Sequence, residues 1–482
     1  MTYKMPDFQM KIDENVNFSP IGGALIIPAI FEKFNLRKII NESIGARKED
    51  GTKKYTDSSY IEGLVTMQIV GGDVVDDMYL IREDGILPDM LGGVPGKTSI
   101  HNYLNNFVDE KEEEKRGQGK AFVPEPNEHL KGFDKVTQHL LKHAPHVKNI
   151  STITLDQDDT FITTGVDGAL YNYKSVRSFE AFNTYCPEYD MVIRSEYRDG
   201  NVPPGYRQLE NLKASLELLP ESVKKVRLRS DTAGYQIEVL KYCATGANER
   251  LGVIEFAISS PVTKELKQAV KMVSESEWKN IPDTEQECAE VVFVPNSLCN
   301  SKKAPDYRFI AIREEISETD PSEMRQMMLD LGDVGDNPIS AVHPTLMNGK
   351  IYKLFALVTN LEWTAEEIVK WQRKRCGKSE ELHRVLKDEL AGGHVVTSAL
   401  GANAAWWQIT ALAYNILTLI KLCLPTQYHK SRPKKLRSYL ISLVARLGSH
   451  ARKIMITVYR SVQASIFIAA WNVLETLQVQ VE

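Results

Sequence analysis

The stretch Thr152-Ile153-Thr154-Leu155-Asp156-Gln157-Asp158-Asp159-Thr160 decides the fold class. Its first four residues alternate β-branched polar and aliphatic side chains, the pattern of a half-buried strand. Aspartate is depleted in strands, yet Asp156 and Asp158 follow at the end of this run. A period of two projects both from one face. Two readings stay open for the pair: acids that end the strand and cap a turn, or acids gathered at a strand end for chemistry.

Upstream of this strand the sequence reads as short helices. Asp57-Ser58-Ser59 caps a run containing Tyr60, Ile61, Leu64, Val65 and Ile69, and Thr98-Ser99 precedes Ile100, Tyr103, Leu104 and Phe107. The charged run 109–120 reads as a solvated linker. Downstream, strands are expected at 169–173 and 191–197, then a helix at 206–219, a strand at 225–229, a helix at 235–242 and a strand at 252–258. A three-strand meander followed by alternating helix and strand is the order of an α/β ribonuclease-H-like core. Further strands at 290–294, 308–313 and 352–358 interrupt it before a long helix over 364–390. The chain therefore divides into a helical N-terminal region (1–149), the first part of the core (150–262) and a β-rich insertion (263–360). The second part of the core (361–425) and a basic helical C-terminal region (426–482) complete it.

Composition narrows the function. The 482 residues are 43% apolar and 26% charged, too apolar for a disordered chain and too mixed for a fibrous one. The net charge of -5 speaks at first against nucleic acid. That mean hides a split, however: residues 391–474 hold no Asp or Glu and ten Lys or Arg, leaving -13 on the first 390. A solvated helical face would normally carry acids for i,i+4 pairing, so their absence favours phosphate contact, with Lys434, Lys435 and Arg437 the densest group. The six cysteines form no C-x-x-C pair, which points to reduced thiols in a cytoplasmic protein. No apolar leader opens the sequence. The uncharged segment 395–420 is long enough to span a bilayer, but Asn403, Gln408 and Asn415 interrupt it. It reads as a helix buried in protein, with no membrane partner.

Three motifs carry chemistry, and one apparent motif fails: Gly93 to Thr98 imitates a phosphate-binding loop, but Leu91 stands where its first glycine is required. Besides the Asp156/Asp158 pair, Arg227-Leu228-Arg229-Ser230-Asp231 places an acid at the C-terminal end of a strand, the edge where α/β sheets bind ligands. An N-cap is the plainer reading of Asp231. On the long helix, Arg373, Glu380 and Lys387 are seven apart and share a face, with Arg384 one turn from Glu380. A salt-bridged surface explains that stripe equally well. Together, acids at two strand ends and a following helix can hold two divalent cations about 4 Å apart for in-line attack on a phosphodiester.

With these residues, the chain resembles the DDE insertion-sequence transposases that carry a tyrosine–arginine–glutamate–lysine signature. The resemblance runs through residues 155–160 (LDQDDT), 196–206 (EYRDGNVPPGY), 227–236 (RLRSDTAGYQ), 375–390 (RCGKSEELHRVLKDEL) and 411–415 (ALAYN). It implies catalytic, metal-holding roles for Asp158, Asp231 and Glu380, with Asp156 the alternative to Asp158, and two Mg2+ ions that Mn2+ replaces. Lys387 matches the signature lysine, whereas Arg373 stands in the tyrosine place and Cys376 in the arginine place, beside Arg375. Lys387, Arg375, Arg373 and Arg384 are then the phosphate contacts. Lys97, in the 97–107 helix, and the basic C-terminal residues would serve recognition of element ends. Trp363 either stacks on an extruded base or packs under the helix start. The resemblance further implies cut-and-paste transposition on double-stranded DNA by a homodimer in the cytoplasm, at the nucleoid. The alternatives are a nuclease of the same fold without strand transfer and a catalytically silent DNA-binding derivative.

Overall fold

In the computed structural model, which describes residues 18–47, 54–118, 120–299, 307–316, 344–450 and 453–479, the opening stretch is strand β1, Thr152–Thr163. It is followed by β2 (Arg177–Cys186), β3 (Met191–Asp199), β4 (Lys225–Ser230) and β5 (Glu255–Ser260). The spatial order is β3-β2-β1-β4-β5, with the first two pairings antiparallel and the next two parallel. The strand expected at 169–173 shrinks to Leu170–Tyr171, a short edge on β2. The true second strand was hidden because its buried residues include Ser178, Glu180, Asn183 and Thr184, which erase the apolar alternation.

The segment 263–360 continues this sheet. Strands β6 (Gln286–Val291), β7 (Arg308–Glu315) and β8 (Lys350–Thr359) add on in the order β5-β8-β7-β6, all antiparallel. The register runs from Ala356 opposite Ser260 to Thr359 opposite Ala257, so β8 is joined to the core edge by main-chain bonds.

Three helices matter for the site. Helix α1 (Asp57–Val70) is capped by Thr56, one residue before the expected cap, in a reciprocal box with Ser59. Helix α2 (Ala365–Arg384) starts with the same device, Thr364 with Glu367, and passes into a π-turn at Val385–Glu389. Helix α3 (Leu400–Cys423) is the uncharged segment, packed between β3 and the N-terminal helices. Among the described residues no helix is long and apolar enough to cross a membrane.

The polar residues of α3 explain its place. Asn415 donates to the Val192 carbonyl and accepts from the Val192 N–H, both at 2.9 Å, and so stands in for a missing neighbour at the edge strand β3. Gln408 donates to the Ser195 carbonyl at 2.7 Å, and the Trp407 indole N–H to the Ser195 hydroxyl at 2.6 Å. Asn403 closes the turn before the helix on Val396, Thr397 and Ala399.

Two expectations need correction. The run 109–120 is pinned to the body by Arg116, which donates to Asp199 at 2.7 and 2.9 Å and to the Gly168 carbonyl at 2.8 Å. The basic C-terminal region is only partly helical. Ala445–His450 and Lys453–Val458 form a hairpin that takes Phe18–Ser19 as a third strand. The alternation of Ile454, Ile456 and Val458 decides this locally, and basic composition does not report it.

Replacing Asn415 by Ala leaves both Val192 main-chain groups unpaired in the core. The expected loss is about 2–4 kcal/mol in urea unfolding, from two buried orphan groups. A change below about 0.5 kcal/mol would show that α3 does not complete the edge of β3.

Candidate active site

The last parallel partners of β1 and β4 are Gln157 and Ser230, so Asp158 and Asp231 are the next residues at one sheet edge. Asp231 leaves the strand to cap the turn Thr232–Gly234, accepting from the Ala233 N–H at 3.0 Å. The capping and chemical readings of Asp231 are therefore compatible. One carboxylate oxygen from each of Asp158, Asp159 and Asp231 lies within 4.8 Å of the others.

Asp159 is the member that the sequence reading left aside, because alternation turns it to the other face of β1. Its signal was present only as a third acid in Asp156-Gln157-Asp158-Asp159. Burial, then Asp158 and Asp231, push its carboxyl up to about 6, against relief from Arg198. Arg198 itself bridges Glu196 at 2.9 Å and Glu180 at 3.4 Å, which gives the 196–206 motif a structural role behind the acids. Asp158 and Asp231 are also raised, chiefly by burial, with Arg375 relieving both.

Asp156 has a different fate. It is 1% exposed and receives Arg229 in a two-pronged pair at 2.6 and 2.7 Å. That pairing takes both carboxylate oxygens and removes Asp156 as the alternative to Asp158 at the acid cluster.

Helix α2 faces this edge. Arg375 is 8% exposed, and its guanidinium lies 2.9 Å from Asp158, turned inward rather than toward solvent. Glu380 is exposed, outside the three-acid group but near enough for its charge to add to the raising of Asp158. Lys387 falls in the π-turn, which rotates it relative to the seven-residue spacing; its ammonium donates to the Phe161 carbonyl at 3.3 Å. Burial draws Lys387 below the usual lysine range. Burial, with Lys387 and Arg375 nearby, holds His383 at about 3, so this imidazole is neutral.

The other expected contacts divide. Arg384, Lys434 and Lys435 are exposed. Lys97 is exposed and pairs with Asp76 at 2.6 Å. Arg373 donates to Gln286 on β6. Arg437 is corrected as a DNA contact: its guanidinium donates to the carbonyls of Ile69 and Gln68 at 2.8 and 2.9 Å, and to that of Glu389. Trp363 is half-buried beneath Arg227, 4.7 Å from ring to guanidinium, with Trp371 edge-on at 5.6 Å. That packing supports the reading in which Trp363 packs under the helix start.

Comparison with known proteins fits this geometry. The family model described as Transposase DDE domain group 1 matches residues 14–479. The chain belongs to the DDE transposase family. Among solved structures it is similar to a piggyBac transposase, in a cryo-EM synaptic complex with hairpin DNA, at 11% identity and a TM-score of 0.43. That alignment covers 89% of this chain and 80% of the other. No curated protein matches it.

DDE transposases use divalent metal ions. The donor set here fits such an ion: carboxylate oxygens are hard ligands, and three converge with a single ion pair, from Arg375 to Asp158, among the described residues.

Two expectations follow. Arg229→Met strands a buried carboxylate and should cost about 3–5 kcal/mol, while adding Asp156→Leu should recover most of it. Equal losses in the single and double variants would refute the pair. Asp159 binds its proton more tightly folded than unfolded, so the metal-free protein loses stability as pH rises from about 4 to 6. Asp159→Asn should therefore stabilise it by roughly 1–3 kcal/mol at pH 8 and little at pH 4. A melting shift independent of pH would contradict this.

Proposed function

We propose that the chain is a cut-and-paste transposase that binds the ends of its insertion sequence, cleaves them and joins them to target DNA. The observation that carries this reading is the meeting of Asp158 and Asp231 just past the last parallel pair of β1 and β4, beside the helix bearing Glu380, in a chain of the DDE transposase family. The strand order and directions of β1–β5 support a ribonuclease-H-like core, with 263–360 as its β-rich insertion.

Asp158, Asp231 and Glu380 would hold two Mg2+ ions, or Mn2+ in their place, and Asp159 offers a further oxygen. Bound there, such ions make water or a 3′-hydroxyl a stronger nucleophile and stabilise charge on the leaving oxygen. The protein's own part is position. Arg375 holds the Asp158 carboxylate in place, and with Lys387 it would offer positive charge to the scissile strand. Arg384, one turn beyond Glu380, is free to reach a neighbouring phosphate. Arg373, engaged by Gln286, instead steadies α2 against β6. Helix Lys97–Asn105 and the exposed Lys434 and Lys435 serve the element ends. Each subunit of a homodimer engages one end, in the cytoplasm at the nucleoid.

The test uses pre-cleaved element ends and a target duplex in Mg2+. Joined product is expected, and hydrolysis without joining would favour the nuclease reading. Asp158→Asn and Glu380→Gln should each lower cleavage by at least about a thousandfold. Unchanged cleavage in Glu380→Gln would refute the assignment of the helix acid.

A further inference from the structure

A cavity of about 230 Å3 lies on the other flank of α2. At 100° per residue, Lys378 and Glu381 point away from the side that carries Glu380. Both line this cavity, together with Lys421 at the end of α3 and Lys430, Ser431 and Arg432 on the loop that follows.

The cations divide into held and free. Lys421 is fixed on Asp190 at 2.5 Å, and Asp190 also receives the hydroxyls of Tyr185 and Tyr414 at 2.6 Å each. Arg432 is fixed on Glu389. Lys378 and Lys430 are exposed and have no ion pair among the described residues. Only Asp190 and Glu381 bring negative charge to the lining itself.

A second observation is independent of charge. Ser431 is 8% exposed, and among the described residues its hydroxyl oxygen has no hydrogen-bond partner; the buried Nε of Arg432 also lacks one there. Buried polar groups are rarely left unpaired without a ligand or water to satisfy them. A hydroxyl, a guanidinium N–H and two free ammonium groups around one small cavity form a donor set for an oxyanion.

We propose that this cavity binds a backbone phosphate of DNA, a second contact separated from the acid cluster by α2. The inference rests on the transposase reading for its source of phosphate. DNA that touches both places straddles α2, so that the helix carrying Glu380 is seated by the strand on its far flank. Ser431 and Arg432 Nε bind the phosphate oxygens directly, and Lys378 and Lys430 neutralise their charge from the rim.

The experiment measures binding of the full chain to a duplex by fluorescence anisotropy over a range of NaCl concentrations, without divalent metal. Lys378→Ala with Lys430→Ala should weaken binding about tenfold or more near 0.15 M salt and reduce the salt slope by one to two units. Ser431→Val should weaken binding with the slope unchanged. Wild-type slope and affinity in all these variants would overturn the proposal. A parallel titration with inorganic phosphate separates the source. Phosphate raising the melting temperature of wild type but not of Ser431→Val, with DNA affinity equal in the two, would mark a free-phosphate site and also overturn it. A wild-type chain that binds no duplex would instead refute the transposase reading itself.

Discussion

Arg229 is the side chain on which the site depends. From β4 it grips Asp156 of β1 with two hydrogen bonds and reaches the Trp371 carbonyl of α2 at 2.6 Å. Asp231 directly follows β4, while β1 carries Asp158 and α2 carries Glu380. A buried pair of this kind contributes little net stability, because desolvation offsets attraction, but breaking one side leaves a charge without compensation. Its value is positional: any slip of β4 against β1 would strand Asp156. Two residues earlier on the same face, Arg227 covers Trp363, while Arg229 itself lies 5.1 Å from the Trp371 ring. The seating of α2 on the sheet is thus an alternation of arginine and tryptophan, which gives Trp363 a structural duty.

Helix α3 supplies the second constraint. A sheet whose edge strand β3 faced solvent would expose unpaired main-chain groups; α3 covers that edge and supplies an amide from Asn415 in place of a neighbouring strand. The same helix packs on α1, so the N-terminal helices and the sheet share one core. Arg116 ties a further loop to the far end of β3 through Asp199.

Local physics made part of this readable. Apolar patterning and turn signals located β1, β4, β5, α2 and α3, although β1 runs on to Thr163, past the end expected at its acids, and α3 is buried on nearly every side. They failed for β2, whose buried residues include polar ones held by groups distant in sequence, as with Asn183, whose amide oxygen accepts from the Ser195 hydroxyl and the Trp407 indole N–H. Arg437 looked like a phosphate contact because composition shows a charge but not the carbonyls of Gln68 and Ile69 that receive it. Asp159 was passed over for a geometric reason: alternation separates it from Asp158 along a regular strand, whereas convergence on Asp231 requires β4 to have ended.

What distinguishes the acids of β1 is depth. Asp156 lies where the parallel partner is still present, and that partner offers Arg229 at the matching register position. Asp158 and Asp159 lie one and two residues beyond the last matched pair, where β4 has turned away and offers Asp231 instead. The innermost acid is neutralised by its own sheet, and the outer three share Arg375 as the ion pair on Asp158. Negative charge is therefore left in excess at the strand edge, and Glu380 adds to it. Burial is the first cause that raises all three carboxyls, and neighbouring acids add to it; divalent cations can meet the same excess of charge. Burial and crowded charge thus raise these carboxyls in the metal-free chain and suit the same oxygens to a divalent cation.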